Sequence, residues 1–488
     1  MSALAFAPSV YKPLFPLFST STTYKIIANR KSRTRVSVHS SLTPQAISSD
    51  PFVLELAETL EDSLPSSSSP PLPLLKLREA SSESLLSTPW PSRKDEPFRF
   101  TDISFIRQSE IRPVSQILDP SLLLGISVDT QFPYLAIVDG HLVKSMSNLS
   151  ELPKGVFVGC LSELTSTSII EEVSDVVCNL DSKDLFWSIN GIGAPDLTVI
   201  YVPEGCRVEI PIHLAYFSIE GGNEGSKTMY VSNPRVLLLV EKEGEIDIIE
   251  EFSTTDGNKC YWTNSALEVV IREGGKVRHS YIQNQSLSAA HTKWTSVQQG
   301  SSSTYELTEV STGGKLGRHN LHIQQSGPET VTELSTLHLS VGDQTQDLHS
   351  KLVLDHPRGY SRQLHKCIVT HSLGQAVFDG NIKVNRYAQQ TDAGQLTRSL
   401  LLEPRATLNV KPNLQIVADD VKCSHGAAIS DLEETQLMYF LARGIDLKTA
   451  RKVLIFAFGG EVIERLPYSS IRERVRSQIK QLLDPQPN

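Results

Sequence analysis

From about Tyr134 onward, apolar and polar residues alternate in short runs separated by Gly, Pro and acidic turns. Cys206, Val208, Ile210, Ile212 and Leu214 interleave with Arg207, Glu209, Pro211 and His213. Successive side chains of a strand point to opposite faces, so this spacing predicts a strand with one buried and one exposed face. Ile246 with Ile248, Leu321 with Ile323, Leu337 and Leu339 with Val341, and Ile382 with Val384 repeat the pattern, and the middle of the chain is predicted to be all β. A loose unit recurs as EGCRVEI, EGEIDII, EGGKVRH and EPRATLNV, each an acidic turn ahead of alternating apolar residues. Self-similarity of this kind fits the stacked coils of a β-solenoid. The irregular spacing of the units fits the two packed sheets of a β-sandwich equally well.

Helical periods flank this β region. Asp50 to Asp62 carries Phe52, Val53, Leu56 and Leu60 at helical spacing, Ser63 to Pro73 reads as a Ser/Pro linker, and a short helical pattern resumes from Leu74 to Leu86. Near the C-terminus, Ser430 with Glu433 forms a capping-box pattern ahead of Leu437, Phe440 and Leu441, and Gly444 is placed to end that helix. Asp446 is placed to cap a second helix carrying Ala450, Val453, Leu454 and Ala457. Ser470 with Glu473 opens a third, whose Ile471, Val475, Ile479 and Leu482 line one stripe beside Arg472, Arg474, Arg476 and Lys480. Such a stripe either packs against the protein itself or offers a face to a partner. The chain therefore divides into residues 1–49, a helical region over 50–133, a β core over 134–429 and a helical domain over 430–488.

Composition narrows the choice of function. A chain of 488 residues exceeds what one hydrophobic core usually organises, which favours an elongated or multidomain architecture. No run approaches the roughly 18 apolar residues that a membrane span needs. The first 49 residues hold Lys12, Lys25, Arg30, Lys31, Arg33 and Arg35, are rich in Ser and Thr, and contain no acid before Asp50. That is the composition of an organelle transit peptide, and Pro8, Pro13 and Pro16 interrupt the apolar stretch that a secretory signal would need. Without this segment the formal charge falls from −9 to −15. So acidic a chain is a poor binder of nucleic acid, which demands a basic face. The 6 cysteines (Cys160, Cys178, Cys206, Cys260, Cys367 and Cys423) are scattered and include no C-x-x-C pair, which excludes a disulfide framework and a zinc ribbon.

Common catalytic signatures are missing. Gly313-Gly314-Lys315 is followed by Leu316, where a phosphate loop needs Ser or Thr, and Glu309 stands where its first glycine belongs, so nucleotide binding is not expected. Gly191-Ile192-Gly193 lacks the third glycine of a dinucleotide fingerprint, Asp196 being there. His319 and His322, three apart on a strand, point to opposite faces and cannot share a metal. Asp355, His356 and Arg358 are the nearest approach to the carboxylate and basic cluster of a carbohydrate-active enzyme built on a β-helix. Cys423 and His425 are two apart, so a strand puts them on one face, and thiolate and imidazole are both iron ligands. Two such ligands rarely complete a site, so a partner chain would supply the rest. The plain alternative is that Cys423 is a small buried apolar residue in phase with Val421 and that His425 bonds to a turn.

Several segments resemble the SufD family: PSRKDEPFRFTDIS (Pro91 to Ser104), TVIYVPEGCRVEIPIHL (Thr198 to Leu214), Ser361 to Lys366, VFDGNIKV (Val377 to Val384) and, most distinctive, ADDVKCSHGA (Ala418 to Ala427). With the C-terminal helices they cover most of the chain after about residue 75. The resemblance implies a right-handed parallel β-helix flanked by N- and C-terminal helical domains. It implies a scaffold subunit without ATPase activity that pairs with a SufB-type paralogue through the β-helix and docks a SufC-type ATPase over residues 430–466. It implies, too, that a nascent iron–sulfur cluster is shared transiently with SufB, with Cys423 and His425 at that interface and His425 the nearer to iron. Participation of flavin is left open. The Ser/Pro linker and Gly459-Gly460 depart from the bacterial pattern. Presequence and resemblance together imply the chloroplast stroma. The competing expectations are a carbohydrate-active enzyme and a purely structural β-solenoid.

The first 49 residues generate a direct test. A chain starting at Asp50 should fold normally and remain in the cytosol when a tagged version is expressed in plant cells, whereas the full chain should enter plastids; plastid accumulation of the shortened chain would remove the targeting role.

Overall fold

Strands alternate between two sheets along the chain. One sheet holds Thr198–Val202, Arg235–Val240, Tyr261–Ile271, Ala290–Gln299, Leu316–Gln325, Thr345–Leu354, Gln375–Val384 and Thr407–Ile416. The other holds Ile212–Ser218, Glu245–Thr254, Lys276–Asn284, Thr304–Ser311, Val331–Ser340, Tyr360–Val369, Thr391–Leu401 and Val421–Ser430. Neighbours within each of these sets pair in parallel. Each coil therefore contributes one strand to each sheet, and the result is a parallel β-solenoid of about 7 turns. This computed structural model describes residues 50–483 apart from 65–69, 115–130, 150–151, 179–183 and 255–256.

The repeat read in the sequence marks a corner. Glu243, Ser302, Glu329, Arg358 and Gln390, together with Gly205 and Gly274, have positive φ at the turn from the first sheet to the second. The amide of each left-handed residue donates to a carbonyl of the following coil, as from Glu243 to Glu273 (2.8 Å), Ser302 to Pro328 (2.8 Å) and Arg358 to Gln389 (2.9 Å). These bonds to the next coil accompany a backbone state that ordinarily disfavours a side chain. EGCRVEI, EGEIDII and EGGKVRH lie at this corner, but EPRATLNV turns the opposite one, so the fourth unit is not a member of the same repeat. The alternation over 206–214 also overreaches: the strand starts only at Ile212, after Pro211, and Ile210 stays 37% exposed.

The strand faces differ from the expected one-buried, one-exposed pattern. Ile212–Ser218, Arg235–Val240 and Tyr261–Ile271 are buried throughout, because one face lines the lumen and the other is covered, by helices over the latter two and by Val138, Val143 and Met146 over Ala215 and Phe217. Helices α1 (Pro51–Asp62), α2 (Leu72–Leu85), α3 (Ser104–Arg107), α4 (Thr167–Cys178) and α5 (Leu185–Gly193) precede or interrupt the first strands. Helices α6 (Glu434–Leu441), α7 (Leu447–Ile463) and α8 (Ser469–Leu483) follow the last. Asp50 caps α1 by accepting from the Phe52 amide (3.0 Å). α4 and α5 were not legible in a region read as all β. α5 is buried on every side down to Gly191, where an added Cβ would meet the Ser81 hydroxyl, so it carries no amphipathic period. At the other end, Ile455, Val462 and Ile463 of α7 and Ile471, Val475 and Ile479 of α8 pack on Leu337, Leu364, Ile368 and Leu400 of the second sheet. The α8 stripe thus packs against the protein itself. α7 runs straight through Gly459-Gly460, and a Cβ at Gly459 would sit 3.2 Å from Leu337. Asp446 caps α7 as expected, whereas Ser430 ends a strand and Glu433 holds the cap position of α6. Among the described residues, no helix is long and apolar enough to cross a membrane.

The lumen is apolar but contains buried charge. Glu250 sits among Ile246, Ile248 and Phe252, accepts from Lys293 Nζ (2.8 Å) and the Tyr216 hydroxyl (2.9 Å), and lies 3.1 Å from His279 Nε2. Further along, Glu309 receives His319 Nδ1 and His338 Nε2, both at 2.8 Å. Burial alone would raise the Glu309 pKa, but the two imidazoles outweigh it and hold the carboxyl well below the ordinary range. A carboxyl depressed in this way stabilises the fold fully above the unfolded value of about 4.3 and progressively less as pH falls below it. The expected outcome is a urea midpoint that declines below about pH 4.3. Glu309→Ala, which strands two imidazoles, should lose about 3–5 kcal/mol at neutral pH and with it part of that acid slope. An unchanged midpoint for the variant would remove the lumen pair from the stability of the solenoid.

Candidate functional site

The two ends of the solenoid are finished differently. At the start, Phe157–Cys160 closes the first sheet by antiparallel pairing with Thr198–Val202, and the hairpin of Tyr134–Val138 with His141–Leu142 closes the second. At the far end, among the described residues, Thr407–Ile416 and Val421–Ser430 are each paired on one side only, and the chain then turns into α6. Their outer edges present unpaired backbone groups, and large apolar side chains surround them: Ile416 is 45% exposed and Ile429 50%. An open edge with apolar borders is a template for another chain.

Cys423 and His425 both stand on that edge. In register, Cys423 lies over Ala393 and His425 over Gln395, and both underlying residues are buried in the lumen phase. The expected shared face is therefore observed, at the mouth of the lumen. Cys423 is half-buried and packs on the lumen cluster, as the plain apolar reading required. Burial pushes its thiol above the ordinary value, partly offset by the Ala393 backbone amide. His425 is exposed and helps to line a cleft of about 630 Å³ with Arg362 and Lys422 of the second sheet and Glu461 and Arg465 nearby. Thiol and imidazole are both ligand types that iron accepts, but among the described residues no group of three or more His, Cys, Asp or Glu is placed to hold a metal ion.

Other candidates do not assemble. Asp355 is tied to Asn385 and Gln324, and Arg358 pairs with exposed Glu329 (2.7 Å), so the Asp355, His356 and Arg358 group forms no convergent cluster. The amides of Gly313, Gly314 and Lys315 are spent on Gln283, Gln285 and Ala289, and Lys315 Nζ lies over the Phe105 ring, leaving no cradle for phosphate. His319 is buried in the lumen and His322 faces the other way, as their spacing required. Reading the sequence missed the lumen charges. Their signal was a polar residue in the apolar phase of a strand: Glu250 follows Ile246 and Ile248, and Glu309 follows Tyr305 and Leu307. Within residues 430–466, where the resemblance puts a dock, α6 buries none of its residues and leaves Met438 63% and Tyr439 57% exposed.

Comparison with known proteins follows the same lines. Residues 222–458 match the family described as SUF system FeS cluster assembly, SufBD core domain, and residues 53–214 match the SufBD protein N-terminal region. The chain is 61% identical over 459 residues, 94% of its own length and 96% of the relative's, to the Arabidopsis thaliana protein named ABCI7, chloroplastic. It is 32% identical to an iron–sulfur cluster assembly SufBD family protein of Synechocystis, covering 83% of this chain and 90% of that one. To the Escherichia coli iron–sulfur cluster assembly protein SufD it is 26% identical, covering 82% and 91% respectively.

Differences in thiol environment make a prediction. Cys367 is fully buried and its thiol is pushed up to about 12, whereas Cys423 is half-buried with a smaller upward push. Alkylation of the native chain followed by peptide mass spectrometry should modify Cys423, faster as pH rises through 9, while Cys367 reacts only after denaturation. Native labelling of Cys367 ahead of Cys423 would contradict the placement of both.

Proposed function

The chain belongs to the SufBD family of iron–sulfur cluster assembly proteins, on its SufD side, and on that premise we propose that it is a non-ATPase scaffold subunit working in plastids. It pairs through the open end of its solenoid with a SufB-type paralogue, and the cluster is built as cargo at that junction. The observation that carries this reading is the placement of Cys423 and His425 side by side on an unpaired edge strand. His425 supplies an imidazole to the assembling iron and Cys423 a supporting thiol, which must lose its proton when it binds metal. Burial disfavours the free thiolate, so on this reading the proton leaves as the metal binds and not before. Localisation in plastids rests on the name of the Arabidopsis relative and on the acid-free composition of residues 1–49.

A SufC-type ATPase binds at the C-terminal helices. The sequence reading gave this dock residues 430–466, and packing narrows it. The inner side of α7 is committed to the second sheet, whereas α6 and the exposed Leu447 and Val453 of α7 are free to meet a partner. Deleting the helices would strip cover from the sheet, so surface substitutions test the dock more cleanly. Met438→Asp with Tyr439→Asp should abolish co-purification of the ATPase while pairing with the paralogue persists. Undiminished ATPase binding would put the dock elsewhere.

The central experiment compares cluster yield per folded complex, read by absorbance after anaerobic reconstitution with iron and sulfide. His425→Ala should block assembly and Cys423→Ala should weaken it, with the complex intact in both. If Cys423 is only a packing residue, its truncation costs about 1–2 kcal/mol and yield falls only in step with folded protein. A His425→Ala complex that assembles clusters at the wild-type yield would leave this subunit a structural partner.

A further inference from the structure

The segment from Glu96 to Thr101 lies along the outer face of the first sheet and is fastened to it coil by coil. Arg318 donates to the Pro97 carbonyl (3.0 Å) and stacks over the Phe98 ring (4.1 Å). The Thr101 hydroxyl donates to buried Asp347 (2.7 Å), and Lys411 Nζ donates to Glu96 (2.7 Å). In-register pairing explains the alignment of these anchors. Arg318, Asp347, Val377 and Asn409 form one column across four coils, and Asn320, His349, Asp379 and Lys411 form the next. Both columns end on Thr407–Ile416, the strand whose outer edge is unpaired.

A strand added to that edge would extend both columns, its alternate side chains landing about 4.8 Å above Asn409 and Lys411. A groove of about 500 Å³ lies there, with Arg99 and Phe100 on one side and Leu408, Val410 and Ile429 on the other. Phe98 is only 6% exposed, held down by Arg318, but Phe100 two residues later is 38% exposed and turned to the groove. Elsewhere in the solenoid each apolar column is covered by the strand of the next coil. Here the chain turns away into α6, and among the described residues no strand covers the column, which leaves that place to a strand of another molecule.

We propose that this groove seats an apolar side chain of the SufB-type paralogue's edge strand, so that the segment Glu96 to Thr101 forms part of the partner-recognition surface. The proposal rests on the reading that the paralogue pairs at the terminal strands. It extends that surface from the β-helix to an N-terminal segment some 300 residues away in the chain.

Affinity of the full chain for the purified SufB-type paralogue, measured by calorimetry on variants with unchanged melting temperature, tests it. Phe100→Asp should weaken pairing by about tenfold or more, as loss of a central apolar anchor does, and Phe100→Leu should largely restore it. Leu373→Asp, at an exposed corner on the solenoid, should leave affinity unchanged. Wild-type affinity for Phe100→Asp overturns the proposal. Ile416→Asp on the terminal strand separates it from the underlying reading: if that variant also pairs normally, docking at the open end is wrong altogether, whereas if it alone fails, only the groove is refuted. Sedimentation of the chain by itself supplies the remaining outcome. Should Phe100→Asp disrupt self-association but not pairing with the paralogue, the occupant is a second copy of this chain and the proposal falls.

Discussion

A parallel strand satisfies its backbone only through neighbours on both sides, and this requirement governs the whole molecule. Each coil supplies the donors and acceptors for the coil before it, through the strands and through the corner amides of residues such as Glu243 and Arg358. Stacking can therefore stop only where something else takes over the pairing. Antiparallel strands do so at the start of the solenoid, but among the described residues nothing pairs with the outer edges of Thr407–Ile416 and Val421–Ser430. Soluble proteins usually blunt such edges with charge, proline or a covering helix. The last strand here carries Cys423, His425, Ala427 and Ile429 in the lumen phase, a composition that invites pairing.

The buried charges inside the stack fit the same constraint. Identical coils of alternating Val, Ile and Leu would stack in many registers at similar energy, because backbone bonding does not distinguish them. Glu250 with Lys293 and His279, and Glu309 with His319 and His338, each join strands of different coils and are satisfied in one register only. A slip by one coil would leave an ion unpaired in an apolar lumen, at a cost of several kcal/mol. On the outer face, Arg235 with Glu268 and Arg318 with Asp347 tie adjacent coils in the same way.

How far the sequence could be read depended on the range of the interaction. Alternation such as Ile246 with Ile248 reports a local preference, and the strands were found where it was regular. Pro211 defeated it over 206–211, and α5 defeated helical reading because a helix buried on all sides has no polar phase. Parallel pairing was not legible at all from pattern: register is fixed by residues about thirty apart, and the corner repeat varies in length as its turns do. The shared face of Cys423 and His425 followed from a spacing of two, and the helical pattern after Ser430 put their strand last in the β core, but nothing local says that its outer edge stays unpaired. That came from the resemblance carried by VKCSHGA and, in the structure, from the missing neighbour.

The open edge and the free helix lie close together without overlapping. α7 is held to the second sheet by Lys366, whose buried ammonium bonds to the Phe458 carbonyl (2.8 Å) and pairs with Glu461. Glu461 and neighbouring Arg465 in turn border the cleft that His425 helps to line. The inner side of α7 meets Thr304–Ser311, Val331–Ser340 and Tyr360–Val369, and the cleft continues from there to Val421–Ser430. One charged cleft thus joins the helix that covers the second sheet to the strand that ends it, and His425 stands where the cleft reaches the edge.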